Sequence, residues 1–142
     1  MSVKVLLVDD EQQFVEILAE RLEARGLAVT TAFNGDDGLA RLREQTIDVV
    51  VLDVAMPGKD GVATLCDMKQ LKPLTEIIML TGHATVETAI EGMKLGAYNY
   101  LLKPTETEDL VDKIIKANRR KMEQEERIRQ AELDRIVKSR GW

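Results

Sequence analysis

The sequence predicts an α/β fold in which β-α is repeated five times around a doubly wound, parallel, five-stranded sheet, with a C-terminal helix extending past it. Two observations carry this. Val3 to Val8, broken only by Lys4, and Asp48 to Leu52 are runs of β-branched residues and Leu, the pattern of strands buried on both faces. Segments with apolar residues at helical spacing lie between such runs, and right-handed crossovers turn that alternation into one sheet with helices on both sides.

After the first strand, Phe14, Leu18 and Leu22 share a helix face, and Gly26 stands where a left-handed C-terminal glycine belongs. Ala28 to Ala32 is a second, shorter strand, and Leu39 and Leu42 mark a short second helix. Beyond the third strand at Asp48 to Leu52, Val62, Leu65 and Cys66 give the third helix its apolar face, and Glu76 to Leu80 is the fourth strand. Val86, Ile90 and Met93 define a fourth helix stopped at Gly96, and Ala97 to Leu101 is the fifth strand. The last helix begins after Pro104, with Thr105 and Glu108 in a capping-box relation and Leu110, Val111, Ile114 and Ile115 as its apolar face.

At 142 residues the chain is one domain with a tail. Aromatics make up only 4%, so aliphatic packing carries the core. The lone Cys66 excludes an internal disulfide, and no Cys/His spacing suits zinc; a reducing cytoplasm fits best. The apolar run at Val5 to Val8 meets two Asp at once, and nothing later reaches membrane-spanning length. Residues 1–118 carry 12 Lys/Arg against 20 Asp/Glu, while residues 119–142 carry 8 against 5. An acidic body argues against direct nucleic-acid binding. The chain therefore divides into a domain at 1–118 and a charged helical extension or linker at 119–142. The extension alternates in sign and reads as solvated; Met122, Ile128, Leu133 and Ile136 share no clean heptad seam.

In parallel sheets of this kind ligands bind outside the carboxyl ends of the strands. Those ends carry Asp9 and Asp10 after the first strand, Asp53 after the third, Thr81 after the fourth, and Lys103 before Pro104 after the fifth. Singly, each Asp reads as a loop residue or helix cap; together they converge on one rim. Two carboxylates about 4 Å apart repel by roughly 4 kcal/mol at an effective dielectric of 20, so the cluster must protonate in part or recruit a cation. All-oxygen donors suit a hard ion such as Mg²⁺, which keeps positions open for phosphate oxygens. A carboxylate can itself be the nucleophile in phosphoryl transfer, with Lys103 and the Thr81 hydroxyl balancing charge on the equatorial oxygens.

Val-Asp-Asp-Glu at 8–11, Leu-Asp-Val-Ala-Met-Pro-Gly at 52–58, Thr-Gly-His-Ala at 81–84 and Tyr-Leu-Leu-Lys-Pro at 100–104 resemble the receiver domains of response regulators in bacterial two-component systems. The resemblance covers about residues 3 to 118, and Thr81 to Pro104 is most similar to receivers of the nitrogen-regulation class. It implies a flavodoxin-like fold and a phosphorylation-activated switch. Asp53 would accept a phosphoryl group from a histidine kinase or phosphotransfer protein, and the domain would catalyse its own phosphorylation and slow dephosphorylation. Asp10, Asp53 and the Ala55 carbonyl would hold Mg²⁺, with Asp9 acting through a water. Lys103 would pair with the phosphate and precede a cis proline. Thr81 and Tyr100 would be the switch pair, and helix 4, strand 5 and helix 5 a homodimer face.

His83, without companion ligands, reads as a solvated loop residue, although the resemblance places it and Ala55 where dephosphorylation is tuned. Lys103 is expected to stay hydrated until phosphate arrives, and Cys66 to be a buried structural thiol. Trp142 reads as exposed, and Met56 and Pro57 as shaping the loop after Asp53. A flavodoxin-like cofactor binder would want a Ser/Thr/Gly-rich loop where Asp-Asp-Glu stands. A haloacid-dehalogenase-type phosphatase would want an Asp at position 55, and a degenerate receiver would lack the acceptor, its acidic partner or the lysine.

Overall fold

The computed structural model describes residues 2–55, 61–82 and 86–141; Met56, Pro57, His83 and Trp142 lie outside them. The chain runs β1 (Lys4–Val8), α1 (Gln12–Glu23), β2 (Ala28–Ala32), α2 (Gly35–Glu44), β3 (Val49–Leu52), α3 (Gly61–Leu71), β4 (Glu76–Thr81), α4 (Val86–Lys94), β5 (Asn99–Leu102) and α5 (Thr107–Ser139). The strands form one sheet in the order β2-β1-β3-β4-β5, and every neighbouring pair is parallel. The direction of winding reverses between β1 and β3. That places their carboxyl ends side by side.

Successive strand residues face opposite sides of the sheet, so the apolar runs feed two cores. Leu6, Val8, Val50, Leu52 and Met79 pack with Leu39, Leu42, Leu65 and Met68 of α2 and α3. Val5, Leu7, Val49, Val51, Ile78 and Leu80 pack with Val15, Leu18, Leu22, Leu110 and Ile114 of α1 and α5. Each such side chain contributes about 1.5–3 kcal/mol by leaving water, which is why the β-branched runs become central strands. Gly26 and Gly96 come after α1 and α4 with φ of 87° and 108°, a conformation a β-carbon would strain. Asn34 caps α2 by accepting from the Asp37 N–H at 2.8 Å.

Several sequence expectations need correction. On α3, Gly61, Thr64, Leu65 and Met68 are buried, whereas Val62 and Cys66 are only partly so. Gly35 of α2 lies directly against Thr64, and this close approach favours small residues over the most apolar ones. On α4, Ala89 and Gly92 face inward, and the predicted stripe Val86, Ile90 and Met93 is 73, 50 and 44% exposed. Gly92 has no side chain to hold α4 off Met79, so the small residues meet the sheet and the larger ones turn to solvent. The capping box at Thr105 and Glu108 does not form: Glu106 is the N-cap without a side-chain bond. Glu108 instead takes Arg25 from just past the end of α1, at 2.9 Å to Nε and 3.0 Å to one terminal nitrogen, a charge-assisted guanidinium fork. β5 begins at Asn99, two residues after the expected start, and Ile115 is exposed while Leu110, Ile114 and Ala117 are buried.

The tail is helical as expected, but its first turn is not merely solvated. Lys121 lies against Asp48 at 3.2 Å, and Arg120 against the buried Glu76 carboxylate at 3.2 Å, as a charge contact rather than an aligned hydrogen bond. Lys69 reaches the other oxygen of Glu76 at 3.5 Å. Among the described residues no helix is long and apolar enough to cross a membrane.

A β-carbon at Gly61 would run into the Val54 backbone, which cannot swing aside as a flexible side chain does. Gly61→Ala is therefore expected to lose about 1–3 kcal/mol of stability, the usual cost of overpacking, read as a lower urea midpoint with unchanged slope.

Candidate functional site

Backbone bonds carry the parallel ladder one residue past three strands and fix the positions of Asp9, Asp53 and Lys103. Asp9 N–H donates to the Ala32 carbonyl at 3.1 Å, Asp53 N–H to Val8 at 2.9 Å, and Lys103 N–H to Thr81 at 3.0 Å. The Lys103–Pro104 bond is cis, as expected. The side chains thus meet at the rim where β1 and β3 are neighbours.

Asp9 and Asp53 are 4 and 5% exposed, while Asp10 faces solvent. One carboxylate oxygen from each of the three lies within 4.8 Å of the others. Asp9 Oδ1 accepts from the Glu11 N–H at 3.0 Å, and Asp53 Oδ1 from the Ala55 N–H at 2.9 Å. Lys103 Nζ donates to Asp9 Oδ2 at 2.6 Å and to Glu11 Oε1 at 3.3 Å, and lies 3.5 Å from Asp53 Oδ2. The Phe14 ring is beneath the ammonium, its centroid 4.3 Å away, a cation–π contact. With a side chain only 13% exposed, Lys103 is the counter-ion of the acidic cluster and not the hydrated lysine the sequence suggested. The reason is the burial of Asp9 and Asp53, which leaves them short of water and in need of a cation.

The charges perturb one another. Burial lifts the Asp9 carboxyl above its ordinary 3.8, more than the hydrogen bonds from Lys103 and the Glu11 N–H pull it down. Burial pulls Lys103 downward, but the hydrogen bond to Asp9 and the charges of Asp9 and Asp53 outweigh it, so its pKa is raised. The folded state therefore holds the Asp9 proton more tightly than the unfolded chain does. That contribution favours folding at low pH and is lost as pH rises from 3.8 through the raised value.

Four carboxylates, Glu11 among them, against one ammonium leave the rim negative, and every donor is oxygen. This set fits a hard divalent cation such as Mg²⁺ and offers nothing to a soft one. Thr81 is fully buried at the end of β4. Tyr100 pairs in register with Met79 and packs on the same core, so Thr81 and Tyr100 share one face of adjacent strands. Glu11 and Phe14 are the site residues that sequence reasoning passed over. Glu11 was visible as the fourth letter of Val-Asp-Asp-Glu, but its reach to Lys103 depends on a strand 92 positions away.

The model of the response regulator receiver domain family matches residues 5–115. The transcriptional regulatory protein ZraR of Salmonella typhimurium is 40% identical over 116 residues, covering 82% of this chain and 26% of that protein. A receiver domain crystallised from Clostridium thermocellum is 38% identical with a TM-score of 0.80, covering 84% of this chain and 97% of that one. NtrX from Brucella abortus superposes with a TM-score of 0.83 at 30% identity, over 89% of this chain and 29% of its own. The chain belongs to the response regulator receiver family and is similar to receivers of the nitrogen-regulation class. It is a phosphorylation-dependent signalling switch of the two-component type, a family in which aspartate phosphorylation and Mg²⁺ binding at an acidic pocket are general. Receivers of this family interact with histidine kinases or phosphotransfer proteins. The chain spans about a quarter of the length of the curated relatives it matches.

Removing the Lys103 ammonium leaves Asp9 and Asp53 facing each other almost dry. Lys103→Ala is expected to cost more than the roughly 0.5 kcal/mol of a surface change, and millimolar Mg²⁺ to recover part of the loss. Thermal melts with Mg²⁺ and with a chelator check this.

Proposed function

We propose that Asp53 is the phospho-acceptor of this receiver, and that residues 1–118 form the switch while 119–142 carry its state away from the site. The supporting observation is the setting of the Asp53 carboxylate. It is buried at the end of β3, with one oxygen fixed by the Ala55 N–H and the other beside Lys103, and Asp9 and Asp10 adjoin it. An Asp53 oxygen attacks phosphorus, an acyl phosphate forms, and the bond from phosphorus to the donor imidazole breaks. Lys103 lies where it can meet an oxygen of the transferred group, and the Thr81 hydroxyl another; Tyr100, on the same face, then turns inward. Asp10, Asp53 and the Ala55 carbonyl are the residues that would hold Mg²⁺, with Asp9 acting through a water. Bound there, the ion offsets charge on the phosphoryl oxygens and on the acidic cluster itself.

A groove beside Lys103, lined by Phe14, Ile17, Leu18, Arg21, Pro104 and Thr107, gives a histidine kinase or phosphotransfer protein an apolar footing next to the acceptor. Ile17 stands half exposed in it. The acidic body favours such protein contacts over direct nucleic-acid binding, and a cytoplasmic location accords with them.

The face of α4, β5 and α5 is our candidate for a dimer contact. Val86, Ile90 and Met93 stand out from α4, and Leu102 is exposed on β5. Charge adds little here, because Asp112 and Lys116 pair with each other at 2.9 Å.

Incubation with acetyl phosphate and Mg²⁺ is expected to add one phosphoryl group by intact-mass spectrometry, and none to Asp53→Asn; a labelled Asp53→Asn would place the acceptor elsewhere. In sedimentation, beryllofluoride, which mimics the phosphoryl group, is expected to shift the chain toward a dimer. An unchanged monomer at high concentration would remove α4 and β5 from the output.

A further inference from the structure

Glu11 occupies the N-cap position of α1 but makes no side-chain capping bond. Cap positions favour short acceptors that fold back onto the helix N–H groups. Its backbone N–H is spent on Asp9 Oδ1, which fixes the start of the side chain beside the acidic cluster, and its carboxylate turns toward β5 to take Lys103 Nζ at 3.3 Å. The ammonium has three N–H groups. Asp9 and Glu11 hold it by hydrogen bonds, and Asp53 is left the longest of the three contacts at 3.5 Å. Asp9 and Asp53 are buried and fixed, whereas the Glu11 side chain is 62% exposed and can let go.

We propose that Glu11 is a positioning residue: it draws the Lys103 ammonium toward Asp9 and away from Asp53 in the resting site, so that Lys103 must leave Glu11 to meet a phosphoryl group. This rests on the assignment of Asp53 as acceptor and Lys103 as its partner. The contact has two effects on the resting domain. The carboxylates of Asp10 and Asp53 are kept available to a cation, because the competing ammonium is held aside. Phosphorylation is restrained, because one contact must be surrendered first. An exposed ion pair of this kind carries a factor of about two to five in an equilibrium.

Glu11 also adds negative charge to the rim, and two substitutions separate that field from the positioning contact. Glu11→Gln removes the charge and weakens the contact. Glu11→Asp keeps the charge, but its shorter side chain reaches back to the α1 N–H groups and not to Lys103. In both variants the Mg²⁺ concentration that half-saturates the amide shifts of Asp9 and Asp53 in NMR is expected to rise about two- to five-fold, and at saturating Mg²⁺ the initial rate of phosphorylation by acetyl phosphate to rise by a similar factor. Wild-type behaviour of Glu11→Asp, alone or together with Glu11→Gln, would overturn the proposal, as would slower phosphorylation in either variant. Wild type that takes no phosphoryl group from acetyl phosphate would instead defeat the assignment of Asp53, and this inference with it.

Discussion

Asp9 and Asp53 stand at the ends of adjacent parallel strands with nearly all their surface withdrawn from water, and one ammonium, from the end of the edge strand β5, stands against both. Carboxylates this close repel by several kcal/mol even at an effective dielectric of 20. The sheet order makes that repulsion unavoidable, since the winding reverses between β1 and β3 and brings their ends together. Lys103 makes it tolerable. The same arrangement sets up the chemistry: an all-oxygen cluster neutralised by one long lysine side chain is one whose neutralising charge can be exchanged for another.

The three central strands were legible to within a residue because burial on both faces demands apolar residues at nearly every position, and few sequences do that by accident. Asp9, Asp10, Asp53, Thr81 and Lys103 were legible because strand ends are legible, and the structure brings all five to one rim. Helix faces were read less well. On α4 the inward positions are Ala89 and Gly92, so the sheet takes the small residues and the apolar stripe faces out. On α3 the contact between Gly35 and Thr64 turns the face away from Val62 and Cys66. Periodicity locates an apolar face but not the neighbour that decides how closely the helix approaches.

Pairings between distant segments were invisible for a different reason. Glu108 satisfies a local capping pattern, yet Arg25, 83 positions away, offers a charged fork and takes it. Lys121 and Arg120 belong to a stretch whose alternating charges read as solvated, yet they find Asp48 and Glu76 at the amino ends of the strands. Glu11 and Phe14 enclose a lysine that only the fold brings to them. Each is a one-to-one contact between charges or rings, and composition and period carry no record of such contacts.

The fifth helix runs without interruption from Thr107 to Ser139, past the end of the family's match at residue 115. Its base is clamped into the core by Leu110, Ile114 and Ala117, and Arg120 and Lys121 fasten the next turn to the opposite end of the sheet from the acidic rim. Beyond that point nearly twenty residues project as a single rod, about 27 Å long at 1.5 Å per residue. Such a rod is a lever: a tilt of about 5° at its root, too small to disturb the packing of the sheet, swings the tip through about 2 Å on that geometry. A tilt of that size at the root therefore appears at the tip as a displacement of ångström scale.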